Sequence, residues 1–417
     1  MEHPLSLHSS TVLAPLRNNL DFMASPVEDR PGLLIRDPYQ YSDVTLIIPP
    51  VLVQVLELFD GVSTALDLRQ ALVRITGELS VGDAGAQLID SLSQAGFLEN
   101  EAYLNMRQAR HDEFSSAPTR QPAHAGTAYP DEPAELRQFL DGYFSAPDQD
   151  PAPFLSNGNL IGLAAPHASP QGAWESYRDA YRLLGPAHHD KIFVVLGTSH
   201  YGAPERFGLT RKNFITPTGE ARTERSMVDW LAAEAPSSIE MEDYCHATEH
   251  SIEFQITFLQ HVCGAGVRVL PILCGPYAKS IYEGGAPEQD EAVHRFLSSL
   301  GELHAKHKDQ LVWVLGVDMA HIGRRYGDSF QAVAHQGEML AISSRDKDRI
   351  QRIAGGDARG FWDMIQDNQD DLKWCGSSPI YTFLRAVPEA RAHLLRYQHW
   401  QIDPQSVVSF AALAFTA

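Results

Sequence analysis

The sequence predicts an α/β fold with a mixed, mainly parallel sheet flanked by helices, plus a small N-terminal α+β domain. The main observation is a set of apolar runs without polar alternation, the pattern of parallel strands buried on both faces. These runs are Leu160–Ala165, Ile192–Leu196, Val267–Cys274 and Leu311–Val317. Segments with apolar residues at helical spacing separate them. A chain of 417 residues is also too long for one ordinary core, which predicts two or three domains.

Residues 1–100 are predicted to form the first domain. Its expected elements are two strands, three helices and a closing strand: Gly32–Ile35, Val44–Ile48, a helix around Val55–Phe59 that Gly61 ends, a helix from Ser63 or Thr64 to about Ile75, Ser80–Gly96 and Phe97–Leu98. Ser80 and Asp83 have the spacing of a helix N-cap and its capping-box partner. Three short helices with a terminal β-element are typical of a winged helix.

The charge balance argues against nucleic-acid binding, although a winged helix often binds DNA. Through Asn100 the sequence contains five arginines, no lysine and thirteen acidic residues, and the whole chain has a formal net charge of -20. Polyanions and anionic membranes would be repelled by such a surface. The N-terminus has no signal-peptide pattern and no apolar run reaches about 18 residues, so we expect a cytoplasmic protein without a membrane segment.

Residues 101–123 are predicted to be a helix followed by a Ser/Pro-rich linker, and residues 124–417 form the second domain. Besides the buried strands, this domain is expected to contain helices at Pro133–Tyr143, Gly172–Leu184 and Ser251–Val262, a loop at Ala146–Pro153 and a late helix from Pro379. The last run, Ser406–Phe415, alternates partly and predicts an edge or antiparallel strand.

Polar residues follow several of the predicted strands. His167 follows the first strand of the second domain, His200 the second, and Asp318 with His321 the fourth, while Cys375 lies in a late loop. The carboxyl ends of parallel strands form the ligand crevice of open α/β sheets. Two imidazoles and a thiolate suit a first-row metal such as Fe(II), Zn or Cu, and three protein ligands leave a coordination position open.

Other interpretations of these residues remain open. Cys375 could be a small buried apolar residue, and Asp318 with His321 could be a helix cap and a surface imidazole. A serine hydrolase is disfavoured because Tyr201 stands where the nucleophile elbow needs glycine. His246 and His250 have zincin spacing but lack the glutamate after the first histidine, so we interpret His250 as a helix-start residue near the site rather than a ligand.

Several ordered motifs carry a family resemblance. The second domain contains AGTAYP, LAAPHAS, LGTSH, EHSIEFQITFLQ, VLGVDMAHIG, WCGSSPIY and SVVSFAALAF, and it resembles the Memo family, component B of the AmmeMemoRadiSam systems. In the first domain, DGVSTALDLRQAL followed by LIDSLSQAGFLEN resembles the small PqqD-like peptide-recognition domains.

The Memo resemblance implies a fold like that of the class III extradiol dioxygenases, with one metal pocket. By position it places the metal on His167, His200 and Cys375, with Asp318 and His321 as further pocket residues. His250 matches the start of the family's EHS helix. In the related dioxygenases two histidines and a glutamate hold Fe(II), so Cys375 would replace the carboxylate, and a thiolate favours Fe(II) or Cu.

Two functions of different classes follow from this resemblance. The first is an Fe(II)-dependent redox enzyme acting on a small molecule, with His321, steered by Asp318, as acid or base. The second is a scaffold or maturation factor whose metal is structural or redox-sensing. Its partners would be AMMECR-type and radical SAM proteins, or a peptide bound by the first domain. A zinc hydrolase is a third possibility.

Overall fold

The computed structural model describes residues 10–27, 29–78, 81–145 and 160–417, and it divides the chain into two compact units, Met1–Ser116 and Ala117–Ala417. The boundary after Ser116 lies inside the predicted segment 101–123, whose helix belongs to the first unit. The expected cap at Ser80 and the expected loop Ala146–Pro153 lie outside the described residues. None of the helices in the described part combines the length and apolar composition needed to cross a bilayer.

The first unit combines a three-stranded antiparallel sheet with helices. Its elements are β1 (Asp21–Ala24), β2 (Leu33–Arg36), β3 (Thr45–Ile48), α1 (Pro50–Val53), a 3-10 helix at Gln54–Leu58, α2 (Ala65–Thr76), α3 (Gly82–Gln94) and α4 (Glu101–Ser116). Thr64 and Asp67 form the capping box of α2. The predicted closing strand is reduced to one isolated bridge between Leu16 and Leu98. The strands and helices agree with an α+β unit, and the winged helix stays a prediction.

The second unit is built on a twelve-stranded sheet. Its strands are β4 (Thr119–Arg120), β5 (Leu160–Ala165), β6 (Ile192–Thr198), β7 (Phe207–Leu209), β8 (Asn213–Thr216), β9 (Gly219–Thr223), β10 (Ile239–Met241), β11 (Arg268–Cys274), β12 (Leu311–Gly316), β13 (His321–Gly323), β14 (Arg391–Asp403) and β15 (Ser406–Thr416). The order is β13-β15-β5-β12-β6-β11-β9-β8-β4, with β14 on β15, β7 on β11 and β10 on β7. Strands β5, β12, β6 and β11 are parallel, and β15 runs antiparallel to β5. The predicted mixed, mainly parallel sheet is therefore confirmed.

Helices cover both faces of this sheet. They are α5 (Pro133–Phe144), α6 (Pro170–Tyr181), α7 (Arg225–Glu234), α8 (Cys245–Thr248), α9 (His250–Cys263), α10 (Ala278–Glu283), α11 (Glu291–His307), α12 (Glu338–Ala354), α13 (Ala358–Gln366) and α14 (Ser377–Ala386). In β6, Val194 and Leu196 join the core on one face, while Phe193 and Val195 join the core on the other. Because both faces are covered, alternate positions are equally apolar, which explains the continuous apolar run.

The last strand is antiparallel, as predicted, but the alternative that it lies at a sheet edge is wrong. Every residue of β15 is buried, because the thirteen-residue strand β14 pairs along its whole length on one side. On its other side β15 pairs with β5 and β13. Strand β14 was not predicted from the sequence, because its residues are mostly half-buried and polar.

Candidate metal centre

Three parallel strands place the predicted polar residues at one edge of the sheet. In the register of the neighbouring strands, Gly316 of β12 lies between Ala165 of β5 and Gly197 of β6. His167 and Asp318 follow two residues beyond these aligned positions, and His200 follows three residues beyond. The side chains therefore meet at the carboxyl edge of the sheet, where open α/β sheets bind ligands.

Two glycines at this edge allow α9 to pack close to the strand ends. A Cβ on Gly197 would lie 2.5 Å from the Ser251 hydroxyl, and a Cβ on Gly316 would lie 2.1 Å from the Ser251 carbonyl oxygen. No side chain fits at such distances. The first turn of α9 consequently lies against the strand ends, and its first residue, His250, reaches the pocket.

The rings of three histidines form one cluster. The ring centroids of His167 and His200 are 4.9 Å apart, those of His167 and His250 5.1 Å, and those of His200 and His250 4.9 Å. One ligand atom from each of the three residues lies within 4.8 Å of the other two. His250 begins α9, as the sequence predicted, and the structure also brings its ring into the cluster.

Cys375 lies beside His167. The Nδ1 of His167 lies 2.9 Å from the carbonyl oxygen of Gly316, and a carbonyl only accepts, so Nδ1 carries the proton and Nε2 has a free lone pair. The Cys375 Sγ lies 3.2 Å from this Nε2. Burial, and then the Asp318 carboxylate, raise the pKa of the Cys375 thiol well above its usual value, and burial lowers the pKa of His167. The pair is therefore neutral at pH 7, and Cys375 would lose its proton on binding a metal.

The loop that carries Cys375 is fixed by its neighbours. The Trp374 indole N–H donates to the buried Asp346 carboxylate at 2.7 Å, and the Thr198 hydroxyl donates to the Cys375 carbonyl oxygen at 3.0 Å. A Cβ on Gly376 would lie 2.6 Å from the Asp318 carbonyl oxygen, so only glycine fits there. These contacts hold the thiol against the strand ends.

Asp318 and His321 belong to the same pocket, but Asp318 does not orient the His321 ring. The Asp318 carboxylate accepts the backbone N–H of His167 at 3.0 Å and lies 3.6 Å from the Nε2 of His167. The Nδ1 of His321 donates instead to the carbonyl oxygens of Met319 at 3.0 Å and Lys373 at 3.1 Å. Burial lowers the pKa of His321 to about 4, so the ring is neutral at pH 7 and its Nε2 is a proton acceptor.

Glu249, the N-cap of α9, is a pocket residue that was not predicted from the sequence. Its carboxylate is fully buried and accepts the backbone N–H groups of His250 and Ser251. It also lies 3.0 Å from the His200 ring and 3.2 Å from the His250 ring. Burial opposes ionisation, but the His200 charge and its hydrogen bonds lower the pKa of Glu249 well below the usual range. An acidic residue directly before a helix indicates an N-cap, so only the capping role was visible in the sequence.

The polar segment before the second domain also contributes to the site, although the sequence predicted a linker there. Residues of this segment form β4, which pairs with β8. Arg120 is buried and ion-paired with the buried Glu253 of α9, and it donates to the carbonyl oxygens of His246 at 2.7 Å and Glu249 at 3.0 Å. The ring of His124 lies 5.6 Å from that of His250. This segment therefore holds the first turn of α9, which carries Glu249 and His250.

Comparisons with known proteins show which family the second unit resembles. A family model described as "Memo-like protein" matches residues 120–414. A MEMO1 family protein of Aquifex aeolicus is 26% identical over 94% of this chain and 98% of its own length. A MEMO1 family protein of Desulfurococcus amylolyticus is 27% identical over 71% of this chain and 98% of its own length. A crystal structure of an uncharacterized protein from Escherichia coli K12 is 11% identical over 61% of this chain and 99% of its own, with a TM-score of 0.39, too low to support an argument.

Proposed function

The chain belongs to the Memo-like family, and from that premise we propose that it is a metal-dependent redox enzyme whose pocket holds one Fe(II) ion. His167, His200 and Cys375 are the proposed ligands. The substrate is a small molecule that binds beside the metal. Cu and Zn are the alternative metals for the same donors.

The convergence of donor atoms carries this proposal. The ligand atoms of His167, His200 and His250 lie within 4.8 Å of one another, and the Cys375 Sγ lies 3.2 Å from one of them. His167 is buried and its Nδ1 is already bonded to a carbonyl, so its Nε2 is free for a metal. Two or three imidazoles and a thiol, without a lysine or arginine among them, fit a first-row metal ion.

The remaining pocket residues have roles in handling the substrate and its protons. A bound Fe(II) with open coordination positions would supply redox chemistry to a substrate beside it. His321 accepts a proton at Nε2, because two backbone carbonyls hold its Nδ1 proton and its pKa is about 4. Asp318 accepts the backbone N–H of His167 and so holds the strand end that carries this ligand.

Anaerobic metal analysis tests the site directly. We expect about one Fe(II) per chain in the wild-type protein, and much less in His200→Ala and Cys375→Ser. Cys263→Ser is the matched control, because Cys263 is a half-buried cysteine at the end of α9 and should leave the iron content unchanged. Equal iron in wild type and His200→Ala would refute the site. An oxygen-consumption screen of the iron-loaded protein then tests the redox activity.

A second candidate function is that of a scaffold or maturation factor. One observation favours it: of the twelve large apolar residues that are exposed in the described part of the chain, eight lie in the first unit. They are Val12, Phe22, Val27, Val44, Val51, Val62, Leu66 and Leu104. Surface apolar residues concentrated on a small acidic unit suit a peptide or protein partner, including AMMECR-type and radical SAM proteins. Thermal-shift screening of the full chain distinguishes the two functions, since a scaffold responds to peptides and not to small molecules.

A further inference from the structure

We propose that Glu249 is a positioning residue of the metal centre. Its buried carboxylate sets the tautomers of His200 and His250, so that the Nε2 atoms of both rings are free to bind a metal. The inference rests on the proposed metal site, and it adds His250 as an imidazole donor beside His200.

Donors surround both oxygens of the Glu249 carboxylate. Oε1 lies 2.9 Å from the backbone N–H of His250 and 3.2 Å from that of Ser251, while Oε2 lies 3.0 Å from the backbone N–H of His200. A backbone N–H can only donate, so both oxygens are acceptors. Oε1 also contacts both rings: it lies 3.0 Å from the Nδ1 of His200 and 3.2 Å from the Nδ1 of His250.

The tautomers of both rings follow from this arrangement. Because a carboxylate with two accepting oxygens offers no proton, the Nδ1 of His200 must carry the proton of their hydrogen bond. The Nδ1 of His250 lies 3.2 Å from the same negative oxygen, which attracts a proton on this nitrogen and would repel a lone pair. In the neutral form of each ring, which is the form that binds a metal, Nε2 then has a free lone pair. His167 has the same tautomer for a separate reason, since its Nδ1 donates to the Gly316 carbonyl at 2.9 Å. All three rings of the cluster are thus set for ligation through Nε2, and carboxylates commonly orient metal-binding histidines in this way.

A glutamine at position 249 cannot accept all the hydrogen bonds that the Glu249 carboxylate accepts. Its amide has one accepting oxygen, and its NH2 group would face N–H groups of His200, His250 or Ser251 in either orientation. To remove the donor-to-donor contact, one imidazole must move its proton to Nε2 or rotate away. A ring protonated at Nε2 points that proton into the centre and cannot bind a metal there.

Glu389→Gln is the matched control. Glu389 also holds an imidazole, that of His304, through a contact of 2.9 Å to Nε2, and the Nδ1 of His304 accepts the Trp313 indole N–H at 3.4 Å. The pair lies outside the pocket, and its carboxylate is half exposed. A single amide oxygen can replace the one acceptor that His304 needs, so the substitution should leave every pocket tautomer unchanged.

Long-range proton–nitrogen NMR of the metal-free, histidine-labelled protein reads each tautomer directly, with signals assigned by single His→Gln variants. We expect Nδ1–H tautomers at His167, His200 and His250 in the wild type and in Glu389→Gln. In Glu249→Gln, His200 or His250 should lose this tautomer. A neutral His200 or His250 ring that carries its proton on Nε2 in the wild type overturns the inference, even if the variant does not fold, and so do unchanged tautomers in a folded variant.

Metal affinity gives the second readout. By competition with a chelator, Glu249→Gln should bind Fe(II) or Zn about 10–100-fold more weakly than wild type, while Glu389→Gln should match it. Equal affinity in wild type and Glu249→Gln overturns the inference and leaves the metal site standing. Wild-type protein that binds no metal refutes the proposed function instead, and the tautomers in the metal-free protein still decide the role of Glu249.

Discussion

The buried ion pair between Arg120 and Glu253 should be one of the strongest single contributions to the stability of the second unit. Each side chain is only 1% exposed. Besides Arg120, Glu253 accepts the backbone N–H groups of Ala123 at 2.9 Å and His124 at 3.0 Å, and the hydroxyl of Tyr129. Substituting Arg120→Met removes the only charged partner among these donors and leaves a carboxylate buried.

The expected magnitude follows from the burial of both groups. Removing one partner of a buried ion pair typically costs about 3–5 kcal/mol, because the remaining charge is neither solvated nor paired. The loss also leaves the carbonyl oxygens of His246 and Glu249 without their Arg120 donor. Against a typical unfolding free energy of about 5–15 kcal/mol, this is a large fraction.

Urea unfolding followed by tryptophan fluorescence measures this effect in the second unit alone, because all 6 tryptophans lie beyond residue 116. Arg345→Met is the matched control, since Arg345 and Asp371 form an ion pair at the surface, 37% and 41% exposed. That substitution should cost less than about 1 kcal/mol.

A double-mutant cycle completes the test. Glu253→Gln should cost about 1–3 kcal/mol less in the Arg120→Met background than in the wild type, because the charge it removes is then unpaired. Equal effects of Arg120→Met and Arg345→Met, or additive effects of the two substitutions at the buried pair, would contradict the assigned role of this ion pair.

Three further outcomes are expected. Gly172→Ala should destabilise the second unit by about 1–3 kcal/mol in urea unfolding, because a Cβ there would lie 2.3 Å from the Trp400 ring, whereas Gly142→Ala meets no atom within 4 Å and should be neutral or stabilising. Burial lowers the pKa of His246 to about 4, so its neutral form contributes roughly 3 kcal/mol above pH 6.5 that is lost as pH falls towards 4. His246→Gln should flatten this part of the stability–pH profile, and an unchanged slope would contradict the assignment. Metal at a hundred times its Kd should raise the unfolding free energy by about 2.7 kcal/mol in the wild type and not in His200→Ala, as measured by the shift of the urea midpoint.

Much of the central sheet was predictable because strands that are buried on both faces appear in the sequence as continuous apolar runs. The runs that became β5, β6, β11 and β12 contain almost no polar residue, and their ends were placed within one or two positions. Strand β14 has no continuous apolar run, since its residues are mostly half-buried. Its neighbour β15 was consequently given an edge position as one alternative, which the structure corrects.

The candidate site was predictable to a similar extent and for a similar reason. His167, His200 and Asp318 follow buried strands, and the parallel arrangement of those strands brings their ends together. Cys375 depended on the family resemblance, because it lies in a loop far along the chain. The orientation of His321 by two carbonyl oxygens, rather than by Asp318, involves backbone atoms that no sequence pattern specifies.

The sequence by itself determined the α/β class, the buried strands and the histidines at their ends, since each depends on local periodicity and on chain order. Only the tertiary structure decided that His250 joins the cluster, that Glu249 bonds the His200 ring, and that Arg120 holds the same helix turn. These contacts join segments 49 to 133 residues apart. They depend on how closely α9 approaches the strand ends, which the space at Gly197 and Gly316 permits. Such distances are set by packing between elements, and packing is not encoded in the periodicity of any single segment.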